Sequence, residues 1–238
     1  VLRIVSLYPT LLGTYGDGGN QIILTKRAQW RGLPVEVTCV EVGQAVPDSG
    51  DIYLIGGGED GAQVAAMAAL AATGPGPSAL ARALDRGAQM LAICAGLQLL
   101  GSSFTDDRGA ETAGLGLIDI TTGRLEKRAL GELLADPDLS LGLPALSGFE
   151  NHGGHTVLGP GVRPLARVRV GTGNGPDPSG RPAGEGVLTS SVIATYLHGP
   201  VLARNPALAD LLLERATGAA LPPLDVPEHA SLRARLGV

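Results

Sequence analysis

A thiol stands where strand-like sequence gives way to helix-like sequence, in Leu91-Ala92-Ile93-Cys94-Ala95-Gly96-Leu97-Gln98. A nucleophile on such a strand–turn–helix elbow is presented at the top of a sheet, toward substrate. Small neighbours suit it, because the sharp turn brings backbone segments close together. The N-terminus of the following helix also favours thiolate, so the reading predicts a lowered thiol pKa. The same residues suit an inert core cysteine at a strand end equally well, since free cysteine is often buried.

Two other runs carry groups that would complement a thiolate. Ile55-Gly56-Gly57-Gly58-Glu59-Asp60 follows a short apolar run, and a glycine turn can present backbone N–H groups as an oxyanion hole. A phosphate loop is the rival use of glycine, but neither G-x-x-x-x-G-K-[ST] nor G-x-G-x-x-G followed by a distant acid is present. Thr195-Tyr196-Leu197-His198-Gly199-Pro200 places a histidine at the end of another apolar run. Alone, such a histidine reads as structural. In an α/β sheet, however, functional groups gather at the carboxyl ends of strands, where Cys94, the glycine loop and His198 can meet in one crevice.

Three more features invite weaker readings. Arg128 closes the charged run Arg124-Leu125-Glu126-Lys127-Arg128, which reads by itself as a solvated face. His152 and His155 have metal-ligand spacing, but the segment is glycine-rich and no Cys or acidic cluster completes a ligand set, so no metal is expected. Cys39 lies in an apolar run and reads as inert core.

The elements that must position these residues follow from periodicity. Residues 1–7, 35–42, 51–55, 89–94, 117–121, 165–170 and 192–197 read as strands. Residues 19–30, 62–72 and 78–86 read as helices, with closing helices at 205–217 and 228–236. Near-continuous apolar strands alternating with helices predict an α/β fold with a mostly parallel sheet and helices on both faces. The closely spaced strands around 165–197 look more antiparallel. Residues 171–186 are too rich in Gly and Pro for regular structure and read as a surface loop. No composition shift splits the chain, so residues 1–238 are read as one domain.

Bulk properties narrow the function class. At 238 residues and 44% hydrophobic, the chain can bury a full core. A net charge of −5, no basic stripe and 3% aromatic residues argue against nucleic-acid binding. Two cysteines far apart in sequence suggest a reducing compartment. No run reaches the ~18–20 apolar residues of a membrane span and the start is too quickly polar for a signal segment, so a cytoplasmic location without membrane insertion is expected.

The elbow, the glycine loop, Gly148-Phe149-Glu150-Asn151-His152-Gly153-Gly154-His155 and the His198 run together resemble the cobyric-acid-synthase-like class I glutamine amidotransferases. With Tyr15-Gly16-Asp17-Gly18-Gly19-Asn20 added, the set is most similar to the branch formed by the glutaminase subunits of lipid II isoglutaminyl synthases. The matches spread from about residue 8 to residue 212, and the last two runs are more specific than the elbow, which many amidotransferases share.

The resemblance implies a flavodoxin-like class I amidotransferase fold and hydrolysis of glutamine to glutamate and ammonia. Cys94 would be the nucleophile and His198 the general base and acid. Gly58 and Ala95 would supply the oxyanion-hole amides, while Arg128, Gln98, Asn151 and His152 would hold glutamine. No cofactor is expected in this chain. Because no nucleotide motif is present, ATP and Mg would belong to a Mur-ligase-like (MurT-type) synthetase subunit, paired as a heterodimer, that amidates D-isoglutamate of lipid II. Two departures stand out: Ala92 where many relatives have Gly, and Pro200 where many carry the Glu that orients the histidine. Glu150, Asp17 or a partner residue remain as the orienting acid. A cobyrinate-type amidotransferase subunit, a ThiJ/PfpI-like cysteine hydrolase or redox protein, and a non-catalytic binding module are the alternative readings.

Overall fold

The computed structural model describes residues 1–72, 76–106, 108–177, 179–181, 183–224 and 226–235, without the side chains of residues 76–78, 227, 229 and 230. In chain order its elements are β1 (Leu2–Leu7), α1 (Gly18–Gln29), β2 (Val35–Val40), β3 (Ile52–Ile55), α2 (Asp60–Ala72), α3 (Gly76–Asp85), β4 (Gln89–Ile93) and α4 (Ala95–Leu99). There follow β5 (Ser103–Thr105), β6 (Glu111–Ala113), β7 (Ile120–Pro137), β8 (Leu146–Leu158), β9 (Ala166–Val170), β10 (Val187–Leu188), β11 (Val192–Thr195), α5 (Val201–Arg204), α6 (Pro206–Thr217) and α7 (Pro227–Arg235).

Six strands form the main sheet in the order β10-β11-β4-β3-β1-β2, parallel except for β10. Every residue of β3, β4 and β11 is buried, which is what continuous apolar runs achieve in the middle of a sheet covered on both faces. From β1 the chain moves outward through α1 to β2, then passes back to β3 and on through α2 and α3 to β4. Right-handed crossovers in opposite directions put α1 on one face and α2–α3 on the other. Central β4 therefore ends one residue before Cys94, next to β11, which ends three residues before His198.

The edge strand β2 corrects one expectation. Its residues are only half covered, and Cys39 is exposed, with its thiol 3.9 Å from Gln21 Oε1. An edge strand lacks a neighbour on one side, so an apolar run there does not guarantee burial.

The second sheet has the order β6-β5-β7-β8, with β9 also paired to β7. Its core is the antiparallel pairing of β7 with β8, two strands of 18 and 13 residues. The strand expected over 117–121 begins at Ile120 and runs on to Pro137, taking in the charged run. Antiparallel pairing holds for β9, as expected, but β11 belongs to the parallel main sheet. The five expected helices form within two residues of their predicted starts, and residue 236 of the last lies outside the described residues. Among the described residues no helix is long and apolar enough to cross a membrane.

Candidate active site

Cys94 occupies a strained position, with φ 52° and ψ −106°, at the junction of β4 and α4. A non-glycine residue held at positive φ costs on the order of 1–3 kcal/mol, which the surrounding packing must offset. The elbow fits because Gly96 lets the turn press against β3: a Cβ there would lie 2.7 Å from the Ile55 carbonyl oxygen. Ala92, two residues before the thiol, is fully buried between Ile55 and Ala194.

The thiol is not the preformed thiolate expected from the helix N-terminus. Burial, reinforced by the negative charge of Asp17, pushes its pKa up to about 12, against the pull of the Ala95 amide and Arg128. A five-residue helix supplies too small a dipole to win against desolvation in a site where Cys94 is only 5% exposed. At rest Cys94 is a thiol, and ionising it would take a base.

The candidate base, His198, lies close by. A Cβ added at Gly57 would sit 2.7 Å from His198 Cε1, 3.1 Å from Asp17 Oδ2 and 3.2 Å from Cys94 Cβ. Gly57 is thus the hub around which these three side chains close, and the Cys94 Cβ and His198 Cε1 are within about 6 Å of each other. Gly57 also donates its amide to Asp17 Oδ2 at 2.8 Å. None of the glycines at 56–58 has positive φ, so close approach, not turn geometry, requires them.

His198 is wholly buried, and its Nδ1 is 3.2 Å from both Asp17 oxygens. Its backbone exchanges hydrogen bonds with Phe149 in both directions, at 2.8 and 3.3 Å, and its ring stacks on Phe149 at 5.3 Å. Nε2 is buried without a hydrogen-bond partner among the described residues.

Of the candidate acids, Asp17 is the one beside the His198 ring, and its neighbours account for the proline after the histidine. Asp17 is the residue preceding α1, yet its carboxylate makes no capping bond to that helix. Two residues on, Gly19 packs against Pro200, where a Cβ would be 2.3 Å from Pro200 Cγ. Asn20 Oδ1 then accepts from the Leu202 amide at 3.0 Å. The residue 15–20 and residue 195–200 runs are thus two halves of one joint. Glu150 is engaged elsewhere: it accepts from the amides of Thr172 at 2.7 Å and Gly173 at 2.9 Å, and His152 Nε2 lies 3.4 Å away. Burial alone would raise its pKa, but the His152 contact and these amides outweigh it and hold the carboxyl below its usual value.

A cleft enclosing about 460 Å³, open mouth included, lies above Cys94. It is lined by Gly58, Ala95, Gln98, Arg128, Asn151 and His152, so every glutamine-contact and oxyanion residue expected from the sequence meets in one place. Glu59, Asp60, Gln63, Thr105, Arg124, Gly153 and Gly154 line it too and were not singled out. For most of these the signal was adjacency to a recognised motif; Thr105 carried none.

The expected contacts differ in what they have free. Arg128 is exposed at the mouth, at a break in the β7–β8 ladder where the pairing passes from Arg124↔Gly154 to Ala129↔His152. Asn151 steers it, accepting from Nε on Oδ1 at 2.6 Å and from Nη2 on its carbonyl at 3.2 Å. Gln98 accepts from Gln63 at 2.8 Å and donates to the Tyr196 hydroxyl at 3.2 Å. His152 stacks on Tyr196 at 3.7 Å, with Nδ1 3.0 Å from the Gly154 carbonyl. Gln98 and His152 thus form a fixed cleft wall. His155, an odd number of residues from His152 along β8, faces the other way, to the Pro176 carbonyl at 3.0 Å. Among the described residues no group of three His, Cys, Asp or Glu is placed to hold a metal ion.

Residues 3–206 match the CobB/CobQ-like glutamine amidotransferase domain. The chain belongs to that family. Among its relatives, the lipid II isoglutaminyl synthase (glutamine-hydrolyzing) subunit GatD of Staphylococcus aureus is 33% identical, covering 98% of this chain and 93% of that protein. The subunit of the same name from Streptococcus pneumoniae is 34% identical, over 90% of this chain and 80% of that protein. A cobyric acid synthase of Sphingopyxis alaskensis is 34% identical over 76% of this chain, but only 35% of its own length is matched. A solved glutamine amidotransferase superposes with TM-score 0.60 at 18% identity, covering 90% of this chain and 98% of that one. The class I fold and the glutamine-hydrolysing family are thereby established, and the chain is a glutamine amidotransferase enzyme.

Proposed function

We propose that this chain is the glutaminase subunit of a lipid II isoglutaminyl synthase, with Cys94, His198 and Asp17 as its catalytic residues. For the chemistry, the observation that carries the reading is the convergence of those three side chains around Gly57 beneath the Arg128 cleft. For the acceptor, it is likeness along nearly the whole length of two proteins of that name, whereas the cobyric acid synthase is matched over about a third of its length.

The reaction follows from the residues. His198 Nε2 takes the thiol proton as Cys94 Sγ attacks the side-chain carboxamide carbon of glutamine, while Asp17 holds Nδ1–H and balances the imidazolium. The amides of Gly58 and Ala95 stabilise the oxyanion, a contribution of about 3 kcal/mol per donor in such sites. His198 returns the proton to the nitrogen as the C–N bond breaks, and ammonia leaves. Water then attacks the thioester, His198 takes its proton, and glutamate and the free thiol are released. Arg128 pairs with the α-carboxylate of glutamine at the cleft mouth.

Amidation of D-isoglutamate needs its carboxylate activated, and the sequence carries no nucleotide loop. ATP and Mg belong on a Mur-ligase-like, MurT-type partner in a cytoplasmic heterodimer, and this chain needs no cofactor of its own. The test combines both subunits with lipid II, ATP and glutamine and weighs the product. Exchange of one hydroxyl for an amino group at D-glutamate is expected. Unmodified lipid II together with amidation of a corrin precursor would move the chain to the cobyric branch.

A further inference from the structure

Tyr15 touches three parts of the site at once, none of which lies on its own loop. Its ring is 4.7 Å from the His198 ring, tilted by 56°. It also stands 6.3 Å edge-on from Phe149, so the three rings form a triangle that walls His198 on two sides. Its hydroxyl donates to Glu59 Oε1 at 3.0 Å, directly after the glycine loop, and receives Arg128 Nη2 at 3.5 Å.

We propose that Tyr15 is a positioning residue that couples the glutamine clamp to the catalytic histidine. The inference rests on the glutaminase reading above and goes beyond it by giving the ring and the hydroxyl separate roles. The ring confines the imidazole so that Nε2 stays aimed and dry, since rotation about the Cβ–Cγ bond would break the Asp17 contact. The hydroxyl holds Arg128 over the mouth and Glu59 beside the oxyanion loop. Asn151 fixes one side of the guanidinium, Tyr15 the other. Glutamine arriving at Arg128 therefore meets a fork whose direction is set by the same residue that confines the base. Tyr15 is half-buried, and its hydroxyl pKa is raised, first by burial and then by Glu59, so it stays protonated and continues to donate.

The test is glutamine hydrolysis by the full chain and its Tyr15→Phe and Tyr15→Leu variants, with kcat and KM resolved and melting temperatures recorded. Tyr15→Phe keeps the ring, so kcat should stay within about twofold while KM for glutamine rises about three- to fivefold. Tyr15→Leu loses both, and kcat should fall at least about tenfold, with the acidic limb of its pH profile displaced. A wild-type chain that releases no ammonia, alone or with its partner subunit, would overturn the glutaminase reading itself. An active wild type with unchanged KM in Tyr15→Phe would overturn the role of the hydroxyl. Equal kcat losses in Phe and Leu would overturn the division between ring and hydroxyl. If Tyr15→Leu melts early, the Phe variant still decides, because its ring is intact.

Discussion

Nδ1 of His198 lies 3.2 Å from each oxygen of Asp17, across 181 residues of sequence. The two are joined by the packing of Gly19 on Pro200 and the bond from Leu202 to Asn20. In the proposed mechanism Asp17 sets both the tautomer and the direction of the base. Asp17→Asn should leave the joint folded but present an amide in place of the charge. We expect kcat for ammonia release to fall at least about a hundredfold, as happens when a triad acid is neutralised, with little change in melting temperature. A loss smaller than about tenfold, roughly 1.4 kcal/mol in barrier, would return the role to another acid.

The two cysteines should separate by reagent. Cys39 is exposed on the edge strand, while Cys94 is buried and its thiol pKa raised. A small neutral alkylating agent should therefore modify Cys39 first, the reverse of what the sequence alone suggested. A glutamine-shaped diazo-ketone should modify Cys94 and spare Cys39, because the cleft and His198 activate only that thiol. Mass mapping of the labelled peptides reads both outcomes; glutamine-analogue labelling at Cys39 would sink the nucleophile assignment. Cys94→Ala should abolish hydrolysis with the fold intact.

What the sequence disclosed follows burial pattern. The parallel core was legible because β3, β4 and β11 are continuous apolar runs, and their carboxyl ends located Cys94, the glycine loop and His198. Strand β8 was not legible as a strand. Its inward positions include Glu150, His152, Gly154 and Thr156, polar or glycine residues that hide an ordinary alternation. Strand β7 was foreshortened because its charged run sits at a ladder break with exposed side chains. The contact of Asp17 with His198 was not legible because 181 residues separate the two and only packing brings them together.

Arg128 should act on binding. Its guanidinium is exposed at the mouth, which puts its contribution to a carboxylate at the weak end of charged hydrogen bonds. Arg128→Ala should raise the glutamine KM about five- to tenfold with kcat reduced less. Asn151→Ala should reproduce part of that effect, and the double variant should be no worse than Arg128→Ala, since Asn151 works by steering the arginine. An unchanged half-saturation point would make Arg128 a solvated charge.

A last prediction concerns Glu185, a fully buried carboxyl outside the cleft. Its Oε1 accepts from the Thr195 hydroxyl and from the Tyr196 amide at 3.0 Å, and Leu197 N–H donates to Thr195 Oγ1 at 3.0 Å. It thereby braces the segment that leaves β11 and delivers His198. Oε2 has no partner among the described residues. Burial raises its pKa to about 7 against an ordinary 4.5, with the Thr195 and Tyr196 bonds pulling the other way. The native state thus keeps a proton that the unfolded chain gives up, and stability must fall as pH rises between those two values. The shift corresponds to about 3 kcal/mol lost from pH 4.5 to above 7. Glu185→Gln keeps an acceptor and cannot ionise, so this part of the slope should vanish. Urea unfolding of both proteins at pH 5 and pH 8 measures it: the stability of the variant relative to wild type should rise with pH. A difference independent of pH would mean that Glu185 titrates alike in both states and that its carboxyl is not held neutral by the fold.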